Sequence, residues 1–136
     1  MTETIQDLGH GFWTIRGDLR VGGVLNIGTQ AALVRLSDGG FVMLDSYPLS
    51  GALRERVMAL TDQGRAVRAV LNLHPFHTLH CATVARDFPH ARLYGAHRHR
   101  LRHPDLDWQD DPVESPAVQA LFGDDLVISL PRGIDY

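Results

Sequence analysis

The stretch AVRAVLNLHPFHTLH, residues 66–80, constrains this chain more than any other. Val67, Ala69, Leu71 and Leu73 alternate with Ala66, Arg68, Val70 and Asn72, a period of two that predicts a strand over 66–73. Pro75 removes a backbone donor, so the ladder cannot continue past it. His74, His77 and His80 then follow at three-residue intervals. A cluster of imidazoles at the C-terminal end of a strand stands where open α/β sheets bind ligands. The segment therefore supplies both a strand and the best candidate site.

The flanking sequence predicts what this strand pairs with. Residues 12–16 read as an early strand, followed by a glycine-containing turn through Gly22-Gly23. Two apolar runs, 31–36 and 41–45, flank Ser37-Asp38-Gly39-Gly40. Asp-Gly between β-prone runs predicts a hairpin, because glycine supplies the positive φ of such a turn. Both arms are apolar at nearly every position, which predicts a sheet covered on both faces. Ser50 stands as an N-cap for a helix with a Leu53, Val57, Leu60 stripe and Gly64 at its end. A second helix is expected over 79–87 and a short strand over 91–95, while 97–111 reads as charged and irregular. Ser115-Pro116 opens a third helix stopping at Gly123, and 126–130 reads as a last strand. This order predicts one layered α/β or α+β domain over 1–136, a mixed sheet with its two main helices on one face.

Composition narrows the function classes. With 136 residues and 44% hydrophobic content, the chain can bury a single core. Sixteen acidic against thirteen basic residues leave a net charge of −3, no footprint for nucleic acid or an anionic membrane. Basic residues do gather locally in His97-Arg98-His99-Arg100-Leu101-Arg102-His103. A lone cysteine, Cys81, excludes an internal disulfide framework and suits a reducing compartment. The polar start MTETIQDLGHG carries no signal-peptide core, and no apolar run reaches a membrane span. The expectation is a cytoplasmic protein with a small-molecule substrate or ligand, and no nucleic acid or membrane partner.

The eight histidines divide by context. His10, His90 and His103 sit in polar surroundings and read as solvated. In the triplet, helical backbone would bring His77 and His80, three residues apart, to one point, with His74 joining if the backbone is tighter than α or still in the loop. Three converging neutral imidazoles suit zinc or iron, while helix capping and hydrogen bonding are their alternative roles. Cys81, one turn from His77 on the same helix face, is either a soft ligand or core. His97 and His99 would point the same way in an extended chain, able to chelate a metal or to hold an anion with Arg98, Arg100 and Arg102. A basic surface loop is the plainer reading of that pair.

Taken together, the hairpin ALVRLSDGGFVMLDS ending at Asp45, the strand AVRAVLNLH, the histidine loop and FPHARLYG resemble the metallo-β-lactamase superfamily. The likeness spans roughly residues 12–130, and it is strongest to a divergent branch carrying HPFHTLH in place of His-x-His-x-Asp-His. With His80 as the last histidine of that signature, His77 matches the second by position and His74 stands one place early. Leu79 occupies the aspartate's place, which removes a ligand for a second metal. The resemblance implies half of an αβ/βα sandwich, since superfamily members are built from two such halves. An uncovered sheet face would then favour a homodimer. It also implies a metal-dependent hydrolase of unknown substrate in which His74, His77 and His80 hold one zinc ion at most. Asp45 would support them from behind, with His97, His99 and Cys81 as weaker candidates. Loss of the aspartate leaves two other readings, a metal- or ligand-binding module without turnover and a structural or dimerisation unit.

Overall fold

The computed structural model describes residues 4–17, 20–21, 25–26, 29–74 and 78–128. Strands β1 (Thr4–Gly9) and β2 (Phe12–Gly17) open the chain, and β3 (Arg20–Val21) pairs with β4 (Leu25–Asn26) in a separate ribbon. The predicted hairpin is β5 (Thr29–Arg35) and β6 (Phe41–Leu44). Helix α1 (Gly51–Leu60) leads to β7 (Val67–Asn72), and α2 (Cys81–Asp87) leads to β8 (Arg92–Gly95). Helices α3 (His97–Arg102) and α4 (Pro116–Phe122) follow. The main sheet has the order β1-β2-β5-β6-β7-β8. It is antiparallel from β1 to β6 and parallel across β6, β7 and β8, because α1 and α2 carry the chain back between those strands.

The hairpin turn is built as its residues predict. Gly39 has φ +89°, Leu36 N donates to Gly40 O at 2.7 Å, and Asp38 Oδ1 accepts from Gly40 N at 2.9 Å. Both sheet faces are apolar, and each is covered. One face, including Ile15, Leu33, Met43 and Val70, packs against Leu53, Val57 and Met58 of α1 and Val84 of α2. The opposite face, with Val42, Leu71 and Tyr94, packs against Val113 and against Val118 of α4. The Tyr94 and Phe122 rings meet edge-on at 6.2 Å between centroids. The two main helices share one face as expected, and α4 fills the face that would otherwise stand open. Each fully buried valine among these contributes about 1.5–3 kcal/mol relative to exposure.

One element is added to those expected, and three expectations are corrected. The polar N-terminus forms edge strand β1, whose residues are exposed except for half-buried Ile5, paired with buried Ile15. An edge strand needs no apolar alternation, so none marked it. Residues 97–102 are helical rather than irregular. The second helix begins at Cys81, with Thr78, Leu79 and His80 outside it, so the argument that placed His77 and His80 on one helical face does not hold. Leu126–Ile128 is not a strand; it lies along α4, where Gln119 Nε2 donates to Leu126 O at 2.9 Å and Ile128 N donates to Gln119 Oε1. The Gly22-Gly23 turn and residues 129–130 lie outside the described residues.

Candidate functional site

The parallel strands end at one edge of the sheet, and β7 delivers Asn72, Leu73 and His74 there. Asp45, just past β6, holds that end in place. Its φ of +63° is left-handed, a conformation Asp tolerates better than most residues. Its N–H donates to Leu71 O at 2.8 Å. Its Oδ1 accepts from Leu73 N at 2.8 Å and from His74 N at 3.0 Å, replacing the ladder partners that strand β7 runs out of. Asp45 thus fixes the backbone from which the histidine loop departs.

At the end of β7 lies a small buried polar group. Asn72 Oδ1 accepts from Ser46 Oγ at 2.6 Å and from Cys81 Sγ at 3.5 Å, and Asn72 Nδ2 donates to Tyr94 O at 3.0 Å. One side chain therefore joins the ends of β6, β7 and β8 to the first turn of α2. Burial pushes the Cys81 thiol up to about 11, so it is a neutral hydrogen-bond donor to Asn72.

His80 is the N-cap residue of α2, half-buried, with its ring edge-on to Tyr47 at 6.2 Å between centroids. Burial lowers its pKa, which keeps the imidazole neutral and able to donate a lone pair. His74 is exposed at the start of the loop, and Leu79 is 69% exposed beside His80. His77 lies outside the described residues. Among the described residues, no three His, Cys, Asp or Glu side chains come together to hold a metal ion. His74 and His80 alone do not form a structural metal set, so a three-imidazole site requires His77.

The HRHRLRH segment has a different role from the one its sequence suggested. His99 is fully buried. Its Nδ1 accepts from Ala96 N at 3.0 Å, capping α3 from within, so the proton sits on Nε2 and is donated to His74 O at 2.9 Å. Neither ring nitrogen is left for a metal or an anion. His97, exposed on the first turn of α3, does not share a face with His99, since helical residues two apart diverge. His103, expected to be solvated, is half-buried and its Nε2 donates to Thr78 O, while its own carbonyl accepts from Trp108 Nε1 at 2.7 Å. The two histidines hold both flanks of the histidine loop. Gly95 makes this possible, because a Cβ there would stand 2.7 Å from the Trp108 ring and 2.9 Å from His99 Cβ. The four-residue spacing of His99 and His103 is the signal that finds this pair.

No protein-family model matches the sequence, and no curated protein matches it either. Solved structures do match its fold. A metallo-β-lactamase from Erythrobacter litoralis, solved with β-mercaptoethanol in its active site, aligns over 88% of this chain at TM-score 0.61 and 16% identity. One from Hirschia baltica aligns over 77% at TM-score 0.55 and 17% identity. FIM-1 from Pseudomonas aeruginosa, in a mono-zinc form, aligns over 77% at TM-score 0.54 and 11% identity. This chain spans 57%, 48% and 46% of those three proteins, about half of each. Its fold is that of the metallo-β-lactamases, at about half their length. No helix among the described residues is long and apolar enough to cross a membrane.

Proposed function

We propose that this chain is a lactamase-fold, metal-dependent hydrolase unit whose site is reduced to one zinc ion at most, held at the histidine loop by His74, His77 and His80. The observation that carries this reading is His80, kept neutral by burial beside a loop whose start is pinned by Asp45 and His99. The mono-zinc form of FIM-1, a protein of the same fold, supports zinc as the ion. When bound, zinc supplies a water acidic enough to act as a nucleophile near neutral pH. The residues of this chain position the loop, and their substrate would be a small molecule with a hydrolysable carbonyl or ester. A cytoplasmic setting suits Cys81, the single cysteine of the sequence, which forms no disulfide within the chain.

Leu79 favours a second reading, a module that binds metal or ligand without turnover. Its exposed side chain occupies the sequence place that an aspartate holds in the superfamily signature, and leucine can neither ligate a second ion nor orient a nucleophilic water. A homodimer would have to form through a surface other than the sheet face packed by α4.

Metal analysis after gentle purification, followed by zinc titration, tests the shared claim. The expected result is up to one zinc per chain, released on acidification because protons compete with the metal for its ligands, and absent from a His77→Ala, His80→Ala double variant. Wild type that refuses added zinc, or a double variant with an unchanged load, overturns both readings. Hydrolysis of simple ester and thioester substrates by the zinc-loaded chain, abolished in the double variant, separates the first reading from the second.

A further inference from the structure

At the opposite end of the parallel strands from the histidine loop, the structure holds a cleft of about 550 Å³. Its rim is formed by the cations Arg65, Arg68 and Arg92 together with His90, and no carboxylate is among its lining residues. Its wall is apolar, formed by Ala69, Tyr94 and Phe122, with Leu121 as a 58% exposed lip. These residues come from five places in the chain: the approach to β7, β7 itself, the turn before β8, β8, and the last turn of α4.

The local backbone explains why cations meet here. The pairing of β6 with β7 shifts register between Phe41 and Val42, leaving Arg68 as an extra residue opposite the hairpin. Such a bulge re-aims the side chain it carries. Arg68 then passes over Gly40 so closely that a Cβ there would overlap its guanidinium, with Nε at 1.9 Å. Arg65 pairs with Asp62 at 2.9 Å and Arg68 with Asp38 at 3.4 Å, but all four side chains are more than half exposed. Exposed pairs of this kind contribute little, so a ligand oxyanion can compete for both guanidinium groups. Arg92 is exposed and makes no ion pair among the described residues. A guanidinium grips the two oxygens of a phosphate or carboxylate in one plane, and clustered cations above a low-dielectric wall strengthen the local field.

We propose that this cleft is a second binding site, for a small organic oxyanion whose charged head meets Arg68 and Arg92 while a flat apolar body lies on Tyr94, Phe122 and Leu121. The site is independent of the histidine loop and needs no metal. Phenyl phosphate is the probe, titrated into the 136-residue chain at constant ionic strength and followed by backbone amide shifts. Saturable shifts confined to Ala69, Arg92, Leu121 and their neighbours are expected, with inorganic phosphate and phenol each binding more weakly. An Arg68→Gln, Arg92→Gln variant should lose at least about tenfold in affinity, the loss of two charge-assisted contacts. An Arg100→Gln, Arg102→Gln variant removes the same charge from α3 and should leave affinity unchanged, and all variants should melt near the wild type because these side chains lie at the surface. Shifts that do not saturate or that fall elsewhere overturn the proposal. So does phenol binding as tightly as phenyl phosphate, inorganic phosphate binding as tightly, or equal weakening by the two double variants.

Discussion

Cys81 is packed in the core beside Asn72, where the sequence alone left either a soft ligand or core. It is fully buried, its Sγ lies 3.5 Å from Asn72 Oδ1, and that oxygen also accepts from Ser46. Burial is the main cause raising its pKa from 9.0 to about 11; a hydrogen bond with Ser46 lowers it and the Asp45 charge raises it further. The sign of the pH effect follows from linkage. The folded chain holds the thiol proton more tightly than the unfolded chain does. This contribution is therefore fully present below about pH 9 and is lost as pH rises from 9.0 toward 11. Denaturant midpoints of the wild type should fall across that window, and a Cys81→Ala variant should flatten the fall. A slope identical in the two proteins would show that the thiol is not the group responsible. Alkylation at pH 8 should likewise be slow in the folded chain and fast after unfolding.

At the scale of elements, α3 is the clamp on the histidine loop, and its His99 is the residue to remove. A His99→Leu substitution leaves the Ala96 N–H and the His74 carbonyl without their partners. Ala96 is fully buried, so losing the acceptor of its N–H costs about 1–3 kcal/mol, which should lower the melting temperature by roughly 3–10 °C in a chain of this size. Exchange of the Leu73 and His74 amides should also quicken, although their acceptor Asp45 is untouched. A destabilised variant with unchanged exchange at those amides would mean that α3 stabilises the fold without holding the loop. The contrast between α3 and β7 explains what the sequence disclosed. Val67, Ala69, Val70 and Leu71 are apolar because the sheet buries both faces, Val67 and Val70 on one and Ala69 and Leu71 on the other, so the strand is legible. HRHRLR has no apolar stripe, because the residue it buries is an imidazole satisfied by two backbone groups, and periodicity of hydrophobic residues cannot register that. The start of α2 was displaced by two residues for a related reason. Leu79 is apolar and reads as helix interior, yet it is exposed in the turn before the helix.

Over the whole molecule, the question is how about half of a metallo-β-lactamase-length chain buries both faces of its sheet. The hairpin arms ALVRL and FVML announce two covered faces, and the Leu53–Val57 stripe announces what covers one of them. The cover for the other was not legible as such, because PAVQALF is a seven-residue helix whose task depends on a sheet distant in sequence. Val118 carries that packing, fully buried among Val42, Leu71, Tyr94 and Val113. Asp125 ties the same segment to the hairpin, its Oδ1 accepting from Ser37 N at 3.0 Å. A Val118→Asp substitution puts an unpaired carboxylate into this apolar layer, where an ionised group is strongly disfavoured. Helix α4 should then leave the sheet, exposing Val42, Ala69, Leu71 and Tyr94 as one contiguous apolar patch. Patches of that kind drive association. Light scattering should report a rise in mass from wild type to variant, with increased binding of a hydrophobic dye, while β-sheet circular dichroism is retained. A variant that keeps the wild-type mass and binds no more dye would show that α4 is dispensable cover and that the second face is satisfied without it.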